Sequence, residues 1–145
     1  MIFSSSALEL ELINDMIINK LIIDAARDKI FLTIINNKNI YTCSHENSKI
    51  NFDKLIILII EFLKKNKNSL DNIDAIYVNR GPGSFAGIRN SLSTIKALYL
   101  TKKIDYYCFS FDDFKEFESM KYTDVPELCI KYKIKKNLIN PIYLS

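Results

Sequence analysis

All three glycines of this chain fall within seven residues, at Gly81, Gly83 and Gly87, and two of its three arginines, Arg80 and Arg89, bracket the same stretch. Glycine admits left-handed backbone and the close approach of another chain segment. A 145-residue chain that reserves it for one place must make its other turns from Asn, Asp, Ser and Lys. Its tightest backbone geometry therefore belongs to one loop. The apolar run Ile73 to Val78 before that loop predicts a strand, and Phe85 to Lys102 after it predicts a helix with Ser84 as N-cap. Pro82 stiffens the connection.

Such a strand–loop–helix junction has two readings. Backbone N–H groups at a helix N-terminus, with Arg80 and Arg89 beside them, make a potential anion site. The loop lacks the GK[ST] ending of a P-loop and is not GxGxxG, so no nucleotide fingerprint applies. The other reading is a tight connection in which Gly81, Pro82, Gly83, Ser84 and Gly87 serve geometry alone, and it is the one the residues favour by themselves.

The length fits one domain. Leu21 to Ile23, ending at Asp24, and Ile30 to Ile35 predict two strands. The cluster Asn36-Asn37-Lys38-Asn39 predicts a turn, and Ile40 to Cys43 a third strand, giving two antiparallel hairpins. A helix over Asn51 to Asn66 follows, with Phe52, Leu55, Ile56, Leu58, Ile59, Ile60, Phe62 and Leu63 on an arc half the circumference wide. That arc exceeds what one sheet covers, so a neighbouring helix or a partner protein takes the surplus. Tyr106 to Phe109 predicts a fifth strand, Phe111 to Met120 a helix opened by Ser110, and Leu128 to Ile134 another strand, before an extended tail from Asn140. Residues 1–19 read as an extension. Ser6 and Glu9 form a capping-box pattern for a helix over 7–15, and Met16 offers an alternative start. The order β-β-β-α-β-α-β-α is α/β with a mixed sheet and matches a single ribonuclease H-like domain over 20–120, with 121–145 as a C-terminal segment.

Counting removes several function classes. His45 is the sole histidine, so one copy of the chain holds no multi-histidine metal site. Cys43, Cys108 and Cys129 form no CxxC pair, and their odd number suits a reduced, cytoplasmic setting. The first residues lack the basic n-region of a secretory signal, and the longest apolar run, Leu55 to Ile60, is too short to span a bilayer. A net charge of +3 spread over scattered lysines outlines no concentrated nucleic-acid surface. No Ser-His-Asp or Cys-His set is evident, so no catalytic residue, metal or cofactor is assigned.

The segment GPGSFAGIR, Gly81 to Arg89, resembles the GPGSFTGLR signature of the TsaB family, the non-catalytic paralogue of TsaD in the bacterial machinery that makes threonylcarbamoyladenosine on tRNA. Leu21-Ile22-Ile23-Asp24-Ala25-Ala26 is similar to that family's opening strand. His45-Glu46-Asn47 precedes the first long helix as the family's polar cluster does, and Ser110 to Phe114 sits where the family has SSLEAL. Ala25 and Ala86 replace the usual hydroxyl residues. About thirty residues remain where the family carries a second lobe, yet Pro141-Ile142-Tyr143-Leu144 resembles its closing P-x-Y-L run, so the resemblance implies an internal deletion. Asp24 is then either a relic of the metal or phosphate aspartate of actin-like ATPases or, the favoured reading, a loop cap.

The resemblance implies a non-catalytic scaffold that activates a TsaD-like subunit, in a system that can include a TsaE-like ATPase, with tRNA engaged only indirectly. It places the contact on Leu58, Ile59 and Phe62 of one helix and Asn90, Thr94 and Ala97 of the next, as half of a four-helix bundle, and the same helices could pair two copies of this chain. On the helix after the loop, Ile88, Leu92, Ile95 and Tyr99 should face the sheet, leaving a face of small residues for that contact. The alternatives are a nucleotide-binding ATPase-like or glycoprotease-like enzyme and a degenerate paralogue without activity.

Overall fold

The computed structural model describes residues 17–143, so the helix expected over 7–15 and the Met16 start lie outside the described residues. The elements run β1 (Asn19–Asp24), β2 (Lys29–Asn36), β3 (Asn39–Glu46), α1 (Lys49–Asp53), α2 (Leu55–Lys65), β4 (Ala75–Asn79), α3 (Phe85–Lys102), β5 (Asp105–Phe109) and α4 (Val125–Lys131). They form one mixed sheet in the order β3-β2-β1-β4-β5. β1, β2 and β3 are antiparallel in sequence, while β4 runs parallel to β1 and β5 parallel to β4. Asn37 turns the β2–β3 hairpin in left-handed backbone, a conformation that asparagine tolerates better than most residues.

Successive side chains of a strand point to opposite faces, and β1 uses both. Leu21 and Ile23 join Leu32, Ile76 and Val78 against Phe52, Leu55, Ile59 and Leu63 of α1 and α2 and Ile88, Leu92 and Ile95 of α3. Ile22 points the other way, with Ala75, Tyr77 and Phe109, against Phe114, Val125, Leu128 and Cys129. The second face of the sheet is thus covered by the segment after β5. Full burial of each such aliphatic side chain contributes roughly 1.5–3 kcal/mol. β5 is bordered by a bridge from Lys136 to Tyr107, whereas β3 stands last in the sheet on its side.

Three expectations are corrected. The helix over Asn51 to Asn66 starts earlier, at Lys49 with Ser48 as its cap, and breaks at Lys54, whose ψ of 25° departs from helical geometry. The break divides two short segments that both bury an apolar side, Phe52 on α1 and Leu55 on α2. The helix over Phe111 to Met120 does not form beyond one 3-10 turn, Phe111–Asp113. Asp113 closes a capping box with Ser110, and the chain then extends at Phe114 (φ −115°, ψ 130°) so that its ring stacks on Phe109. The strand over Leu128 to Ile134 is instead α4. Pro126 in its first turn, with Glu127 near its start and Lys131 near its end, favours helix, and left-handed Lys133 follows its end. The helix over Phe85 to Lys102 has the expected bounds, and Ser84 accepts the Gly87 N–H at 3.1 Å.

Candidate functional site

The glycine loop is a clasp between three strand ends and the C-terminal tail. Gly81 has φ +107°, and a Cβ there would also run into the Ile142 carbonyl and Ile88. Cβ atoms at Gly83 and Gly87 would overlap the carbonyl oxygens of Ala26 and Ala25, the residues just after β1. The loop is therefore pressed onto the end of β1, closer than any other residue type permits. Several of its donors are used inside the chain. Gly81 N–H donates to Asn79 Oδ1 (2.9 Å), Ser84 N–H to the Ala26 carbonyl (2.8 Å) and Ile88 N–H to the Ser84 carbonyl (2.9 Å).

Arg80 is equally committed. Its guanidinium pairs with Asp113 at 2.8 Å and donates to the Asn140 carbonyl at 3.1 Å. Its backbone N–H meets the Phe109 carbonyl and its carbonyl receives the Ile142 N–H, each at 2.7 Å. Pro82 and Arg89 are exposed, and Arg89 forms no ion pair among the described residues.

Beneath the loop lies Asp24, fully buried. Its Oδ1 accepts from the Ala26 N–H and from Asn79 Nδ2, both at 3.1 Å, and its Oδ2 accepts from the Tyr122 hydroxyl at 2.6 Å. Burial pushes its carboxyl above the usual carboxylate range, while the bonds from Tyr122, Ala26 and Asn79 and the charge of Arg27 pull the other way. Tyr122 is held protonated by its own burial and by the adjacent Asp24. Arg27 reaches the same hydroxyl at 3.3 Å and lies over the rings of Phe31 and Phe111. Asp24 bonds the N–H two residues ahead, which is the turn-capping role expected of it. Its partners Asn79 and Tyr122, and Asp113 as the partner of Arg80, escape sequence reading because no local pattern links positions 33 to 98 residues apart.

His45 lies on β3 with Nε2 at 3.7 Å from Cys43 Sγ, and burial raises the Cys43 thiol, which keeps it protonated. No group of three or more His, Cys, Asp or Glu side chains converges on a metal position among the described residues. No helix among them is long and apolar enough to cross a membrane.

On the helical side of the sheet, α1 and α2 face α3 across a groove of about 410 Å³. Asn90, Thr94 and Ala97 line it, with Phe52, Leu55 and Ile56 opposite. Thr94 Oγ1 donates to the Asn90 carbonyl and Asn90 Nδ2 to the Ala86 carbonyl, each at 2.8 Å, and Thr101 Oγ1 donates to the Ala97 carbonyl at 2.7 Å. These three polar side chains fold back on their own helix, while Asp53 and Ser93 also line the groove. Leu58, Ile59 and Phe62 do not reach it. They are buried in the core of this chain, and the exposed apolar residues of α2 are Ile57 and Ile60. The contact expected at Leu58, Ile59 and Phe62 is corrected to that extent, because side chains filling the monomer's own core cannot also present a surface.

A family model described as "TsaD: tRNA N6-adenosine threonylcarbamoyltransferase" matches residues 46–110. The chain is 38% identical over 65 residues to a "tRNA threonylcarbamoyladenosine biosynthesis protein TsaB" of Buchnera aphidicola subsp. Baizongia pistaciae, covering 39% of this chain and 29% of that one. It is 30% identical over 90 residues to the TsaB of Buchnera aphidicola subsp. Schizaphis graminum, covering 62% of this chain and 43% of the relative. The matches thus span less than half the length of either curated relative. Among solved structures, YeaZ from Pseudomonas aeruginosa superposes with a TM-score of 0.60 at 16% identity, over 70% of this chain and 49% of that one. A second Pseudomonas aeruginosa structure, an uncharacterized protein with similarity to peptidase YEAZ, gives the same values. The mixed sheet with its helices is the ribonuclease H-like, actin-like fold of these neighbours.

Proposed function

We propose that this chain, a protein of the TsaB family, is a non-catalytic scaffold in tRNA threonylcarbamoyladenosine biosynthesis that binds and activates a TsaD-like subunit. The groove between α2 and α3 carries the proposal. It is bordered on α3 by small side chains, of which Asn90 and Thr94 already bond their own helix, so a partner helix can approach closely there, with Asp53 and Ser93 left to meet its polar groups. Asn90, Thr94 and Ala97 form one wall of the contact, and Ile56, Ile57 and Ile60 take the place of the three core residues on the other helix. The glycine loop has a structural role in this reading, in keeping with the internal use of several of its donors and of Arg80. The same face serves a second copy of the chain when no partner is present.

Replacing Thr94 with Trp tests this. Thr94 is only half-buried in the monomer, so bulk there should clash with a partner rather than with the core. Circular dichroism should stay unchanged while co-elution with a TsaD-like protein is lost. Normal co-elution by a folded variant would remove this face as the interface.

A further inference from the structure

Among the described residues β3 has β2 as its one strand neighbour, whereas β5 at the other end of the sheet is bordered by the bridge between Tyr107 and Lys136. An open edge invites pairing with another chain, and proteins blunt it with prolines, bulges, short strands or charged side chains. Over most of its length β3 has none of these. It runs eight residues without a proline, pairs with β2 in unbroken register, and carries one formal charge, Glu46, at its end. Ile40 and Tyr41 stand on opposite faces of it, 50% and 41% exposed.

The hairpin fixes which backbone groups face outward. Asn36 and Asn39 flank its two-residue turn as a hydrogen-bonded pair, so Asn39, Tyr41, Cys43 and His45 direct their N–H and C=O groups toward β2. Those of Ile40, Thr42, Ser44 and Glu46 point away from it. Among the described residues, the Glu46 carbonyl alone of these finds a partner, Asn51 Nδ2 at 2.8 Å.

We propose that two copies of this chain pair antiparallel through β3, with Thr42 opposite Thr42 of the second copy, which joins the two sheets into one. That register sets Ile40 against Ser44 of the second copy, so the outward N–H and C=O groups of Ile40, Thr42 and Ser44 all meet counterparts. It also brings Lys38, in the turn, level with Glu46 of the second copy at each end of the contact. Both side chains are exposed, and neither makes an ion pair among the described residues. A slip of one pairing sets Ile40 against Glu46, whose carbonyl Asn51 already holds. The opposite slip leaves Ser44 facing the turn. A foreign strand would have to reproduce the spacing of Lys38 and Glu46, whereas a second copy supplies it by symmetry. Lys65 of α2 acts on Cys43 from the helical side, and as an exposed side chain it can keep its charge in water beside the contact.

Analytical ultracentrifugation of the full chain carrying Thr94→Trp, which takes the groove out of any self-association, tests the edge alone. From about 5 to 500 μM, monomer should give way to dimer, the weak association expected of a single strand-to-strand contact. Adding Thr42→Lys sets two like charges opposite each other and should weaken dimerisation by at least about fivefold. Thr42→Glu should do the same, and an equimolar mixture of the two should dimerise at least as readily as the Thr42 parent. Thr42 is exposed and its N–H lies outside the ladder to β2, so circular dichroism should match the parent in both variants. The proposal is overturned if the parent stays monomeric throughout, if either variant dimerises like the parent, or if the mixture fails to associate. Co-elution with a TsaD-like protein, measured with Thr94 in place, should be untouched by Thr42→Lys, so this proposal and the scaffold reading fail separately.

Discussion

The Tyr122 hydroxyl donates to Asp24 Oδ2 at 2.6 Å, joining the end of β1 to a segment 98 residues further along the chain. Asp24 lies at the end of a central strand, and Tyr122 belongs to the segment that covers the second sheet face. This one bond ties that cover to the centre of the fold. Tyr122→Phe keeps the ring and leaves a buried oxygen one donor short, so it should cost about 1–3 kcal/mol. Urea unfolding should show a lower midpoint with an unchanged slope.

Asp24 also sets a pH dependence. Burial raises its folded pKa above the ordinary 3.8, so the folded chain holds this proton more tightly than the unfolded one. Its contribution to stability is full below the unfolded pKa and is lost as pH rises through the folded value. Glu116 has the opposite sign. The Tyr132 hydroxyl, and Lys131 beside it, hold its carboxyl below 4.5, so its contribution is present above that value and lost as pH falls through the folded pKa. Relative to Asp24→Asn, the parent should gain stability as pH is lowered from 7 toward 4 in urea titrations. A difference independent of pH would show that Asp24 is not shifted.

Gly87→Ala places a methyl group onto the Ala25 carbonyl and against Phe52. The backbone there is helical and would otherwise favour alanine, so the sign of the change is diagnostic. Overpacking should win by about 1–3 kcal/mol and lower the melting temperature by several degrees. An unchanged or raised melting temperature would mean that the loop is not pressed onto β1.

Neighbouring isoleucines of α2 should separate core from contact surface. Ile59 is fully buried and Ile57 is 51% exposed. Ile59→Ala should cost about 2–5 kcal/mol, whereas Ile57→Ala should change stability by no more than about 0.5 kcal/mol. Only the second should weaken co-elution with a TsaD-like protein while leaving the unfolding curve in place.

The Arg80–Asp113 pair is partly buried, with side-chain exposures of 16% and 20%. Arg80→Ala should cost about 1.5–3 kcal/mol, as expected for a charged hydrogen-bonding group lost from such a site. A double-mutant cycle with Asp113→Ala should return a positive coupling, readable by chemical denaturation.

Local features were legible in the sequence wherever one residue type settles one conformation. Ser84 fixed the start of α3, and the Asn36 to Asn39 cluster marked the hairpin between β2 and β3. After β5 the pattern misled. Ser110 and Asp113 look like the opening of a long helix, but Asp113 also serves Arg80 across the fold, and Phe114 must leave the helical path to reach Phe109. At Leu128 to Ile134 the apolar run suits strand and helix alike, and Pro126 with the flanking charges decided for helix. The core position of Leu58, Ile59 and Phe62 was hidden for another reason. An apolar arc shows which residues avoid water, but not whether the sheet below or a neighbour beside it supplies the cover.

The tail contact at the glycine loop gives the molecule an order of assembly. Arg80 accepts from the Ile142 backbone and donates to the Asn140 carbonyl, about sixty residues downstream. A chain made from its N-terminus exposes the loop long before either partner exists. During translation the strands and α3 can gather early, while the clasp stays unfinished until residue 142 has emerged. A ribosome stalled anywhere between Gly87 and Asn140 would therefore hold a sheet whose glycine loop is still open.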